Sequence, residues 1–362
     1  MASMAFQNDA FLLGRILLEF DRADVNLWGE LSAIAMGPDG NLWVGSDELH
    51  TLERLEPITP MHYGNHKSCE LPNNLVLPEA EGEVDFEGLN YQDGYLWFVG
   101  SHSQKRKRPK GKPSKDLKRL TQVVTEPNRY ALGRISLSKD GELSKKGSAM
   151  VPMGDANNGW QGNPLMTALG KDPHLGMYIH HPIPSKENGL DIEGISVKED
   201  RIFLGLRGPV LRGWAVILEL HFDPDSSDEL VLLPAAGNHI YRKHILNLKG
   251  QGIRDLCWDG DDLLLLAGPT MAADGYADVV RWRSPLQDKK SDQADFIYDL
   301  DGDRLQRVMT LPTPRDYDRA EGITMSTCWG ESCLWVVYDG PGSQRLIGDR
   351  ALLMDAFRLP AD

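Results

Sequence analysis

A chain of 362 residues with 41% apolar residues is long enough for either two ordinary domains or one large repeat architecture with a packed interior. Its net charge of −14 argues against general nucleic-acid binding, apart from the basic loop at 105–115, and favours an acidic surface in water. No apolar run reaches membrane-spanning length, and Met1 to Leu18 has no basic segment before its short apolar run, so a cytoplasmic location without signal peptide or membrane anchor is expected.

In chain order, Phe11 to Phe20 reads as a strand with no partner of its own. A phrase then recurs: a polar or acidic residue, often followed by Gly, then an aliphatic residue, a turn, and an apolar strand that ends in Gly. It first appears in degenerate form, as Leu31-Ser32-Ala33-Ile34 before Asn41-Leu42-Trp43-Val44-Gly45. Clear copies follow at Asp85-Phe86-Glu87-Gly88-Leu89 with Tyr95 to Gly100, and at Asp191-Ile192-Glu193-Gly194-Ile195 with Arg201 to Gly208. Ile253-Arg254-Asp255-Leu256 with Asp262 to Gly268 is a second degenerate copy, and Ala320-Glu321-Gly322-Ile323 with Leu334 to Gly340 is the last. Asp-Gly turns between apolar runs, such as Asp39-Gly40 and Asp93-Gly94, mark hairpins. Repeats about one four-stranded sheet long predict an all-β fold, a single β-propeller of five blades over residues 1–362, with six as the alternative. The last repeat supplies three strands, ending in Ala351 to Leu359, so the N-terminal strand is expected to complete it and remove exposed edges.

Two stretches break the rhythm. Residues 103–128 form an insertion in the second repeat, and Lys105 to Lys115 is densely basic, with two prolines and no periodicity. That composition predicts a mobile solvated loop, or an electrostatic lid for an anionic ligand or partner. Residues 155–190 read as a long connection containing the loop Asn157 to Pro164, one helical turn at Leu165 to Leu169, and His180-His181. The cysteines Cys69, Cys257, Cys328 and Cys333 lack zinc spacing. Cys328 and Cys333 flank a turn and could meet across a hairpin, but reduced strand cysteines are the expectation.

In a propeller, the loop entering each innermost strand and the loop leaving the second strand open on one face. The entering residues Ser32, Glu87, Glu193, Arg254 and Glu321 should therefore converge with Ser46-Asp47-Glu48, His102, Arg207 and Asp339. Three carboxylates crowded at an axis repel each other, and two resolutions stay open. Glu87, Glu193 and Glu321 are candidate ligands for Ca²⁺ or Mg²⁺. Alternatively they form a structural network with Arg254 and backbone amides that ties the repeats together. Arg254, Arg207, His102 and Asp339 are the candidates for binding a ligand at the mouth, and Arg319, His180 and His181 lie close in sequence to such positions. Trp43, Trp97 and Trp335 share one repeat position and are expected to pack between repeats.

The run Leu204 to Trp214, with Asp191-Ile192-Glu193-Gly194 before it and Gly252 to Leu256 and Leu266 to Thr270 after it, resembles a bacterial propeller family known only as a domain of unknown function. The likeness covers roughly residues 30 to 340. More distantly, the repeated acidic phrase is similar to phytase-like esterase propellers and SdiA-regulated propellers. The first resemblance implies a propeller without assigned activity, and the second a calcium-dependent phosphoesterase. The function expected is a scaffold that binds a small anionic ligand or a protein at the channel mouth. The alternative is a Ca²⁺- or Mg²⁺-dependent hydrolase of phosphoesters, esters or lactones.

Overall fold

The computed structural model describes residues 11–21, 27–79, 82–151, 162–181, 183–226, 229–271, 275–288, 293–312 and 318–360. Of the loop expected at Asn157 to Pro164, residues Asn157 to Gln161 lie outside them, as does Pro182. The described chain is mostly β, in antiparallel units that each begin on one copy of the recurring phrase. The first unit runs Leu31–Met36, Leu42–Ser46, Thr51–Thr59, His62–Glu70, and the second Phe86–Gln92, Tyr95–Gly100, Leu132–Leu137, Leu143–Met150. The third runs Asp191–Lys198, Arg201–Leu211, Trp214–Phe222, Tyr241–Asn247, and the fourth Gly252–Asp259, Asp262–Gly268, Asp278–Trp282, Leu305–Thr310. The last unit pairs Arg319–Cys328, Glu331–Asp339 and Ala351–Arg358. The N-terminal strand Phe11–Glu19 lies antiparallel along Ala351–Arg358, the place the sequence expects for it.

The innermost strands pack in cyclic order. Leu31–Met36 touches Phe86–Gln92, which touches Asp191–Lys198, then Gly252–Asp259, then Arg319–Cys328, which returns to Leu31–Met36. Glycine makes this approach feasible. A Cβ on Gly88 would stand 2.8 Å from the Glu193 carbonyl oxygen, and one on Gly194 would stand 3.0 Å from the Asp255 backbone. The Gly of the recurring phrase is thus a close-packing requirement between neighbouring backbones.

The residue before each of those positions sits in a β-bulge. The register of the first two strands slips between Leu31 and Ala33, Phe86 and Gly88, Ile192 and Gly194, Ile253 and Asp255, and Ala320 and Gly322. The residues carried by the slips are Ser32, Glu87, Glu193, Arg254 and Glu321. A bulge leaves one residue out of the ladder and re-aims its side chain, so one backbone irregularity, repeated, sets the whole ring of mouth residues.

The second-strand tryptophans are buried between units. Trp43 shares a buried cluster with Phe86 and Leu89, Trp97 shares one with Leu218 and packs edge-on to Phe222, and Trp335 shares one with Ile16 and Val44. Truncating such an indole to Ala costs about 3–5 kcal/mol.

Other features were not readable from periodicity. Leu17 and Leu18 run parallel to His62 and Tyr63, which joins the first and last units into one sheet. Asp295–Asp299, from the fourth unit, adds a parallel strand to Tyr241–Asn247 of the third. The basic insertion, expected to be an aperiodic mobile loop, carries regular structure: a hairpin of Gln104–Arg106 with Val123–Thr125, and a helix at Pro113–Leu120. Two backbone amides, of Lys110 and Lys112, donate to the Asp116 carboxylate at 2.8 and 2.6 Å and so organise the loop into the helix without a hydrophobic core. The helical turn expected at Leu165 to Leu169 is present as Pro164–Leu169, capped by Asn163. All four cysteines are free; the hairpin register sets Cys333 opposite Ser326 and Cys328 opposite Glu331, so Cys328 and Cys333 are diagonal neighbours whose thiols meet as a hydrogen-bonded, unoxidised pair. Among the described residues no helix is long and apolar enough to cross a membrane.

Candidate functional site

Three of the bulged residues, Glu87, Glu193 and Glu321, form the floor of a cavity of about 520 Å³, while the Ser32 hydroxyl donates to the Phe86 carbonyl instead. One oxygen each from Glu87, Glu193 and Glu321 lies within 4.8 Å of the others. Two guanidiniums brace them. Arg254 Nη1 donates to Glu193 Oε2 at 2.8 Å, and its Nη2 lies 2.7 Å from Glu321 Oε1. Arg207 Nη1 donates to Glu193 Oε1, while its Nε donates to the Thr270 carbonyl at 3.1 Å and lies 3.4 Å from Asp191 Oδ2. Glu87 has no ion pair among the described residues.

The floor extends beyond these groups. Asp85 lies 2.7 Å from Arg129, which also donates to Glu126 at 2.7 Å. Asp339 lies 3.5 Å from Arg319, and a buried Asp47 oxygen has no hydrogen-bond partner. Asp255, at the Gly position of its own repeat, reaches across instead. Its carboxylate accepts from the Leu256 amide at 2.8 Å and from the Ile323 amide of the last unit at 2.7 Å.

Acids outnumber guanidiniums here, and the titration behaviour follows. Burial, with Asp85 and Asp339 nearby, pushes the Asp47 carboxyl up to about 7. Burial pushes Asp191 up to about 7 against the pull of Arg207. Glu321 rises to about 8, again through burial, with Arg254 opposing and Glu193 adding to the rise. Burial and then the charges of Asp85 and Glu193 hold Glu87 well above the usual carboxylate range. Glu193 goes the other way: burial would raise it, but Arg207 and Arg254 together outweigh that and hold it low. At neutral pH the floor is therefore a mixture of one fixed carboxylate and several acids poised to hold protons.

The basic insertion forms the roof. Arg106 pairs with Glu187 of the short 3₁₀ turn Ser185–Glu187, its Nη2 donating to Oε2 at 2.8 Å. Lys105 lies 2.6 Å from Glu126. Lys107, Arg108 and Lys186 also line the cavity, and none has an ion pair among the described residues.

Of the residues expected at the mouth, Glu87, Glu193, Glu321, Arg207 and Asp339 line this cavity, and Arg254 braces it from a neighbouring one. His102 stands apart. Its φ of +53° turns the chain inward, its Nδ1 lies 2.8 Å from the Gly100 carbonyl and its Nε2 2.8 Å from Asn163 Nδ2, and its ring packs edge-on to Tyr130. Burial lowers it to about 4, so it is neutral. His180 bonds to the Gly170 carbonyl at 2.8 Å and does not line the mouth. Asp47, expected at the mouth from its leaving loop, lines the cavity, as do Asp85 and Asp191, which belong to the recurring phrase but not to its bulged position. Arg129 carries no sequence signal, because the turn that delivers it follows the insertion.

The site thus belongs to a mostly β repeat protein with an arginine-braced acidic mouth. The chain belongs to the family described as protein of unknown function DUF3616, whose model matches residues 30–355. No functionally curated protein matches it. Among solved structures it is similar to a putative oxidoreductase (glucose dehydrogenase) of Thermus thermophilus, at 13% identity and a TM-score of 0.38, covering 95% of this chain and 100% of that one. It is also similar to virginiamycin B lyase of Staphylococcus aureus (11%, 0.34, covering 96% and 99%). A third is the PQQ-bound aldose sugar dehydrogenase of Streptomyces coelicolor (13%, 0.39, covering 96% and 98%). At such identities and TM-scores these likenesses carry no argument about activity.

Proposed function

We propose that the chain is a five-bladed β-propeller, closed by its N-terminal strand, that binds a small anionic ligand at the channel mouth. The observation that carries this reading is that Lys107 and Arg108, roof cations lining the cavity, have no ion pair among the described residues and lie with Lys186 above the Arg207 guanidinium. Protonated Asp191, Glu321 or Glu87 would act as hydrogen-bond donors to an anion rather than repel it. Binding should therefore take up protons and weaken as pH rises through the range of about 7 to 8 to which Asp191 and Glu321 are pushed. Calorimetric titration with inorganic phosphate at pH 6 and pH 8.5 tests this. Saturable binding that weakens at the higher pH, and falls tenfold or more in Lys107→Glu/Arg108→Glu, supports it. No heat at millimolar phosphate rejects it.

A second reading, a Ca²⁺- or Mg²⁺-dependent hydrolase, is favoured by the close approach of the Glu87, Glu193 and Glu321 oxygens and by Glu87 having no ion pair among the described residues. Arg254 already serves both Glu193 and Glu321, so a metal would have to share them with a guanidinium. A calcium-dependent rise in melting temperature that is lost in Glu87→Gln would support this reading, and an unchanged melt would count against it.

A further inference from the structure

The mouth has a second half. Beside the charged cavity lies another of about 460 Å³, and its wall differs in kind. Pro269 and Met271, from the loop leaving the fourth unit's second strand, face it, as do Leu311 and Pro312, which follow that unit's last strand, and Leu120 at the end of the roof helix. Met271 is 55% exposed and Leu120 43%. Single exposed apolar side chains need no explanation, but these line one concavity. That concavity is continuous with the charged one: Arg207, Glu321, Asp339 and the roof residues Arg106 to Arg108 line both.

We infer that the ligand is an amphiphilic anion. A phosphate, sulfate or carboxylate head is held between Arg207 and the roof cations, and a short alkyl or aromatic body lies against Met271, Leu311 and Pro312. This rests on the anion-binding reading above and adds the chemistry of the rest of the ligand. Two physical requirements meet at this place. An apolar body needs an apolar surface, which the proline, methionine and leucine side chains supply along one side of a cavity that Arg254, Asp318 and Arg319 also line. A head group needs fixed cations at the edge of that wall, and Arg207 is at the boundary between the halves. The guanidinium is kept in place by Glu193 and the Thr270 carbonyl, one residue before Met271, so head and body sites are built on the same loop. Roof residues Arg106 to Arg108 cover both halves, so one ligand can engage both under a single lid.

The experiment is a calorimetric series of inorganic, methyl, butyl, hexyl and phenyl phosphate on the full chain. Each methylene that enters the apolar half is expected to tighten binding about three- to fourfold, from roughly 0.8 kcal/mol per buried CH₂. Met271→Asp is expected to lower the hexyl-to-inorganic affinity ratio at least tenfold, with its melting temperature checked alongside. A phenyl phosphate that outranks butyl assigns the body to a ring, and the reverse order to a chain. Inorganic phosphate binding with a flat series overturns the inference and leaves the anion site standing. No binding by any member overturns the anion reading itself. A slope that survives Met271→Asp unchanged puts the body elsewhere and overturns the inference.

Discussion

Arg254 and Glu193, each carried by a bulge on the innermost strand of its unit, form a 2.8 Å ion pair that ties the fourth unit to the third. The other arm of the same guanidinium holds Glu321 of the last unit at 2.7 Å. Arg254 thus bridges carboxylates of two neighbouring units. Removing one partner of a buried pair leaves an uncompensated charge, a loss of about 3–5 kcal/mol. Arg254→Met is therefore expected to lower the urea midpoint by that equivalent. Arg254→Lys keeps the charge but loses the fork that serves two carboxylates, and should fall between. A wild-type midpoint for Arg254→Met would show that the pairs contribute nothing net.

The floor carboxyls predict an unusual stability profile. Asp47 and Asp191 are pushed up to about 7 and Glu321 to about 8 when folded. A carboxyl whose folded value is raised binds more protons in the folded state, so its contribution is full below about pH 4 and is lost as pH rises towards 7 to 8. His102 works in the opposite sense. Its folded value is lowered to about 4, so its contribution is present above about pH 6.5 and is lost as pH falls to 4. Between about pH 4 and 6.5 three raised carboxyls outweigh one lowered histidine, so the melting temperature should fall from about pH 4 towards pH 8. Asp191→Asn should flatten that fall, as read by scanning calorimetry from pH 4 to 9. A melting temperature constant between pH 6 and 8.5 would sink this account.

Both predictions rest on residues that the sequence exposes, and for a physical reason. Gly88 and Gly194 are required by backbone approach and Gly322 by the packed side chains of Val337 and Ile34, and the glutamates before them are re-aimed by bulges, so one repeated constraint leaves a repeated phrase. The same constraint explains why the degenerate copies were still recognisable: the bulge persists at Ser32 and Arg254 although the residue changed. What the sequence did not disclose depends on contacts between distant segments. Arg129 reaches Asp85 only because the insertion returns the chain to the mouth. The parallel strand Asp295–Asp299 is defined by the sheet it joins, not by its own pattern. The hairpin strands of the roof are three residues each, too short to show a period. His102 follows a second strand, where a mouth position was expected, but its left-handed backbone turns the ring into the packing around Tyr130.

The close approach of inner strands can be tested directly. A Cβ at Gly88 would stand 2.8 Å from the Glu193 carbonyl oxygen and 2.9 Å from the Ile195 amide nitrogen. Neither is the end of a flexible side chain, so two inner strands must separate to accept it. Gly88→Ala should cost about 1–3 kcal/mol, the range for overpacking, although Ala ordinarily favours a strand over Gly. Gly94→Ala is a useful contrast, because nothing lies within 4 Å of its Cβ position and only its φ of +84° opposes the change. Chemical denaturation of the two variants separates crowding from backbone strain, and equal losses would show that the strand approach is not tight.

The roof is held differently from the floor. Arg106 and Glu187 are both partly exposed, with side-chain accessibilities of 31% and 44%, and exposed pairs add little to global stability. Their consequence is local. The pair spans from the insertion hairpin to the turn before the third unit, so it fastens the roof at its far side. Glu187→Gln is expected to leave the melting temperature within about a degree of wild type, since surface changes are usually within about 0.5 kcal/mol. It should nevertheless speed tryptic cleavage within Lys105 to Lys115, because local opening rather than global unfolding exposes that backbone to a protease. Inorganic phosphate, if it sits beneath Lys107 and Arg108, should slow that cleavage in wild type and variant alike. Cleavage rates identical in wild type and Glu187→Gln would mean that the roof is secured by Lys105 with Glu126 and by the hairpin itself, and that Arg106 is free to turn towards a ligand.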